Sequence, residues 1–248
     1  MSILRRLFGL SDSRAHVARR PRVMIGPLHR VEFIGPSGMV RVVNVSPDGI
    51  GLFRNDAPDA RAGQVIEGVL TIAGKPFSVA VEVRHVSPSV VGLRFKDVSA
   101  ALNRAIEDYF RIEIVALKLR QMNPEFMKQD PEGTPVWFTD GRLNELYYVV
   151  KDGELKRFHM SFLGHYLEGG PDAPVRSGFA PDESEEARGN SGQRAPLVDL
   201  GREASRQALE LGQQLLVNVV ALPAADLISL QAILARKGEP RRFSVRTE

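Results

Sequence analysis

In Phe77, Val79, Val81 and Val83 every second residue is apolar, and this period of two constrains the chain more than any other feature. Alternation of that kind puts one face of an extended strand in a core and the other in water, and it is incompatible with an amphipathic helix. The neighbouring sequence repeats the signal in short pieces. Arg41 to Val45 and Ile50 to Phe53 flank the turn-forming cluster Ser46-Pro47-Asp48-Gly49. Val65 to Ile72 and Phe77 to Val86 are joined by Ala73-Gly74-Lys75-Pro76, and Val90 to Phe95 follows Ser87-Pro88-Ser89. Five or six short antiparallel strands at this spacing predict a small barrel or sandwich. Ser99 then caps a helix of about twenty residues, on which Leu102, Ile106, Tyr109, Phe110, Ile114 and Leu117 recur at three- and four-residue intervals.

Beyond residue 120 the pattern changes twice. Residues 133 to 168 alternate again and carry Asp140-Gly141 and Asp152-Gly153, both read as tight hairpin turns that need positive φ. A three-stranded meander containing the single tryptophan, Trp137, is expected there, packed on something else because three strands alone are marginal. Residues 169–195 are rich in Gly, Pro, Ser, Asp and Glu and read as a linker. From 196 to 248 the chain reads as helical. Leu197, Leu200, Ala204, Ala208, Leu211, Leu215 and Val219 form one stripe; Leu227, Leu230 and Leu234 follow Pro223, with Gly238 as a stop. The expected fold class is therefore α+β, mainly β. The expected parts are a basic leader (1–18), a barrel with its closing helix (19–120), a meander region (121–168), the linker and the helical segment.

Composition bears on what such a chain can do. At 248 residues, 43% hydrophobic and 25% charged, it can bury more than one core. It has no cysteine, which excludes disulfides and thiolate metal sites and points to a reducing, cytoplasmic setting. No apolar run reaches the ~18 residues of a membrane span, and the N-terminus lacks a signal-peptide core. The net charge of +3 is unevenly placed: Arg5, Arg6, Arg14, Arg19, Arg20, Arg22 and Arg30 stand against Asp12 alone in the first thirty residues. That segment suits an anionic partner. Polymeric nucleic acid is a poorer fit, because no aromatic residue accompanies the arginines between 14 and 30 to stack bases. Stable membrane insertion is not expected.

Catalytic signatures are missing. The histidines His16, His29, His85, His159 and His165 have no metal-motif spacing, and there is no nucleophile elbow, phosphate loop or dinucleotide fingerprint. Asp140 and Glu145 are explained by turn and edge-strand roles. Neither an enzyme nor a resident cofactor is expected.

One local pattern remains, Asn44-x-Ser46-x-x-Gly49, preceded by Arg19-Arg20-Pro21-Arg22 and followed by Gly92-Leu93-Arg94-Phe95 ahead of the helix. It resembles the signatures of PilZ domains, an Asp or Asn followed by x-Ser-x-x-Gly and an upstream Arg-x-x-x-Arg, over roughly residues 16 to 118. The resemblance implies a β-barrel that binds cyclic di-GMP through Arg19, Arg20, Arg22, Asn44, Ser46 and Gly49 as a regulatory ligand. It also implies relay of that binding to a protein partner in motility, secretion or biofilm control, through the barrel surface or the C-terminal helices. Arginine suits such a ligand, because its fork pairs with phosphate or a guanine O6/N7 edge and its plane stacks on a base. The first arginine of the signature is replaced: Ala18 stands four residues before Arg22. Two classes therefore stand, a cyclic di-GMP receptor and a nucleotide-independent adaptor.

Overall fold

The computed structural model describes residues 20–179, 199–201 and 203–236, and two units divide between Ile106 and Glu107. In the first unit the strands are β1 (Val23–Met24), β2 (Val31–Gly35), β3 (Gly38–Val40), β4 (Val42–Ser46), β5 (Gly49–Phe53), β6 (Val65–Ile72), β7 (Lys75–Val86) and β8 (Val90–Phe95). Their order is β1-β4-β5-β8-β7-β6-β2-β3, with each neighbouring pair antiparallel. Because β3 and β4 are separated only by Arg41, one stretch of chain bonds β2 at its start and β5 at its end. The sheet thereby closes on itself, and the barrel expected from the alternation is found.

The closure point is fixed by charge. Arg41 donates from Nε (2.7 Å) and Nη2 (2.9 Å) to the two oxygens of Asp56, and its guanidinium lies 4.1 Å over the Phe53 ring. Those hydrogen bonds hold the Asp56 carboxyl at about 2. Inside, the alternating positions do what their period demands: Val79, Val81 and Val83 are buried with Phe33, Leu70, Ile72, Val91 and Leu93.

Helix α1 (Ala100–Tyr109) follows, with Ser99 Oγ accepting from the Leu102 amide at 3.1 Å and with Leu102 and Ile106 buried. The single long helix expected here is two. Phe110, fully buried at φ −106° and ψ 21°, separates α1 from α2 (Arg111–Lys118). The apolar spacing runs through this break unchanged, so periodicity alone could not mark it.

In the second unit, β9 (Arg120–Gln121), β10 (Thr134–Thr139), β11 (Glu145–Lys151), β12 (Glu154–Phe162), β13 (His165–Gly169), β14 (Arg176–Phe179) and β15 (Asp199–Leu200) form an antiparallel meander in chain order. The three expected strands are its centre. Asp152 (φ 55°) and Gly153 (φ 78°) make the tight turn foreseen for them. Asp140-Gly141 does not. There the loop runs over residues 140–144 and only Gly141 has positive φ, because the Asp140 carboxylate accepts from the amides of Arg142 (2.8 Å) and Asn144 (3.3 Å) and builds a wider turn.

Two further expectations are corrected. Residues 176–179, placed in the linker by composition, form β14, while 180–195 lie outside the described residues. Leu200 belongs to β15, not to a helix: α3 (Arg206–Asn218) starts only after Ser205, whose Oγ accepts from the Ala208 amide at 3.1 Å. Leu197 and Gly238 lie outside the described residues. Helix α4 (Ala224–Ala235) completes the unit, and its Leu230, Ile233 and Leu234 join Phe138, Tyr148, Phe158, Met160 and Leu215 in one core. Among the described residues no helix is long and apolar enough to cross a membrane.

Candidate functional site

The short strand β1 decides where the arginines go. Val23 pairs with Val45 and Met24 with Asn44. Continued toward the N-terminus, this antiparallel register sets Arg22 beside Ser46 and Arg20 beside Asp48. The side chains agree: Arg20 Nε is 3.8 Å from Asp48 Oδ1, with both groups more than half exposed. A pair this open and this long is weak in water and exchanges readily for another anion. Arg22 is exposed and has no hydrogen bond or ion pair among the described residues. Arg19, like Ala18, lies outside them.

The turn beneath is held by its own atoms. Ser46 is buried, at 4% exposure, and its Oγ donates to the Gly49 carbonyl at 3.2 Å. Gly49 is required by packing, since a Cβ there would run into the Leu93 carbonyl on β8. Asn44 projects from the outer face, where its side-chain amide covers Gly51; a Cβ at Gly51 would stand 2.6 Å from Asn44 Nδ2. Of the three signature positions, Ser46 and Gly49 therefore serve the fold directly, and Asn44 faces outward.

Three residues in this turn or on the strands beyond it were not singled out as site residues by the sequence reading. Asp48 is the first, as the partner of Arg20. Arg94 is the second: it pairs with Gly49 across β5 and β8, points out between the buried Leu93 and Phe95, and makes no side-chain hydrogen bond or ion pair among the described residues. His85 is the third, next to Gly92 across β7 and β8. Alternation around Leu93-Arg94-Phe95 predicts that Arg94 faces outward, but only the β5–β8 pairing puts it at the turn. Together Arg20, Arg22 and Arg94 stand beside Asp48, Ser46 and Gly49, three guanidinium groups along the turn that starts at Asn44. That set can bind an anionic group and read acceptors on a planar base.

The second unit holds a different polar cluster. Glu145 accepts from Trp137 Nε1 at 3.1 Å and lies 3.5 Å from His159 Nε2, while the His159 ring stacks between Tyr147 (4.9 Å) and Tyr166 (6.0 Å). The His159 contact, helped by the other polar partners, holds the Glu145 carboxyl below its ordinary range, and burial pushes the Tyr166 hydroxyl up to about 12. Arg157 pairs with Asp130 and, at 2.6 Å, with Glu132. These groups satisfy one another along the outer face of the meander. Among the described residues no three His, Asp or Glu side chains are placed to hold a metal.

No curated protein matches the chain. Among solved structures it is similar to an uncharacterized protein of Legionella, at 13% identity over 36% of this chain and 89% of that one, with a TM-score of 0.29. The family model of the PilZ domain matches residues 17–111 and leaves the core of the second unit outside. Both halves of the sequence signature, the closed sheet and helix α1 fall within that stretch, and the chain thus carries a PilZ domain at residues 17–111.

Proposed function

We propose that this protein is a cytoplasmic cyclic di-GMP receptor that relays ligand binding to a protein partner in motility, secretion or biofilm control. PilZ domains as a family are receptors and adaptors for this nucleotide, which is the general ground for the reading. The observation that carries it is the β1–β4 register, which lays Arg20 and Arg22 along the Asn44–Gly49 turn. A loose Arg20–Asp48 contact is readily replaced by ligand phosphate, and Arg22 and Arg94 stand ready beside it. Closing Arg20 and Arg22 over bound nucleotide would then shift the stretch that leads into β1, a local change of the kind that signalling switches use.

A second reading keeps the barrel as a protein-docking module without nucleotide. Ala18 favours it, because the first arginine of the family signature is lost there. Calorimetric titration of the full chain with cyclic di-GMP separates the two. The receptor reading expects saturable binding, weakened about tenfold to a hundredfold by Arg22→Ala, the loss of one charge-assisted contact of roughly 1.5–3 kcal/mol. Wild-type protein that gives no heat at tens of micromolar ligand is an adaptor. Binding that Arg22→Ala leaves untouched would mean the ligand contacts lie elsewhere.

A further inference from the structure

One cross-strand row on the outer face of the barrel runs Met24, Asn44, Gly51, Gly92, His85, over β1, β4, β5, β8 and β7. Its central members are two glycines side by side on neighbouring strands. Glycine weakens a strand interior, and where it persists it often marks a place at which another group approaches the backbone. Here two polar side chains already do so from opposite sides. Asn44 folds over Gly51, and the His85 imidazole fills the space that a Cβ at Gly92 would take. His85 is exposed and makes no hydrogen bond among the described residues. The strand alone does not explain why an imidazole is laid there.

From Asn44 to His85 the row crosses three strand spacings, roughly 14 Å. Over that span the Asn44 amide and the His85 ring cover the two glycines, so a base arriving there meets those two side chains. The arginines lie along the turn beyond Asn44, and Arg94 stands two residues along β8 from Gly92, on the same face. We propose that His85 is a further ligand-contacting residue, whose exposed ring stacks on a purine of the bound nucleotide. The inference rests on the receptor reading above. It adds a contact on β7, far in sequence from the arginine segment and from the Asn44–Gly49 turn. Imidazole is suited to the task because it is a flat aromatic plate small enough to lie on a glycine.

The test is titration of the full chain with cyclic di-GMP, comparing wild type, Arg22→Ala, His85→Ala and His85→Phe, with the His85 ring protons followed by NMR. His85→Ala is expected to weaken binding about tenfold, the scale of one lost base–aromatic stack. His85→Phe, which keeps the plate, should stay within about threefold of wild type. In the wild type the His85 Hε1 resonance should move upfield in proportion to ligand bound. Wild-type affinity in His85→Ala, with Arg22→Ala weakened, overturns this inference and leaves the receptor reading standing. His85→Phe as weak as His85→Ala overturns the stacking role. A wild type that does not bind overturns both.

Discussion

Gly49 and Ala73 show how differently two small residues can be constrained. Gly49 has no need of left-handed backbone, yet its missing Cβ is what lets β5 lie against the Leu93 carbonyl of β8. Ala73 has open space but sits at φ 50° in the two-residue turn between β6 and β7, with Gly74 at φ 82°. For a residue with a Cβ, left-handed backbone costs about 1–2 kcal/mol, and Asn tolerates it better than most. Opposite outcomes follow. Gly49→Ala should destabilise the first unit by about 1–3 kcal/mol through overpacking, whereas Ala73→Asn should stabilise it by about 1 kcal/mol. Denaturant unfolding of the two variants checks both; equal signs would mean that the turn and ladder geometry is not as described. The contrast also bears on function, because lost ligand binding in Gly49→Ala would report the β5–β8 ladder as much as any contact with ligand. Arg22→Ala, at an exposed position, is the cleaner probe.

The outer face of β10, β11 and β12 is where titration meets packing. Glu145 accepts from Trp137 on the neighbouring strand and faces His159 on the other side, so its ionised form is favoured in the folded protein. A carboxyl held below its unfolded value stabilises the fold above that value, roughly pH 4.3 for glutamate, and the gain is lost as pH falls through the lower, folded pKa. Wild type should therefore exceed Glu145→Gln in thermal stability at pH 7, and the gap should close below about pH 4. A gap that persists at pH 3 would show that charge on Glu145 is not its source. Little of this face could be read from the sequence, since it depends on which residues of three strands stand side by side. Elements with a strong local signal were legible: the β7 alternation, the Ser99 cap and the Asp152-Gly153 turn. Those that failed had misleading local chemistry. Asp140 spends its carboxylate on two loop amides, and Leu200 fits a helical spacing although the helix cap is Ser205, whose amide is held by Ser177 Oγ at 2.9 Å. Strands of two to four residues such as β9, β14 and β15 are too short to show a period. The candidate site divides the same way. Its turn and its arginine cluster are each short local motifs in the sequence, while Arg94 and His85 join them only through the β5–β8–β7 register.

At the scale of the whole chain, two hydrophobic cores must be accounted for. Leu102 and Ile106 are buried with the barrel in the first unit, and Leu215, Met160 and Tyr148 belong to the core of the second. The PilZ match ends at residue 111, so it describes the first core and is silent about the second. A receptor must connect nucleotide to a partner, and a meander backed by α3 and α4 is more than ligand binding alone requires. Whether the second unit belongs to the same cooperative fold is then a thermodynamic question, answerable with one lesion in each core. Leu102→Ala and Leu215→Ala should each cost about 2–5 kcal/mol, because each removes a fully buried leucine from a packed core. If each core is its own cooperative unit, native-state hydrogen exchange should lose protection in β2–β8 for the first variant and in β10–β13 for the second. Loss across both regions from either lesion would mean that the chain folds as one. The relay reading would then need no separate device to carry a change in the barrel to the rest of the protein.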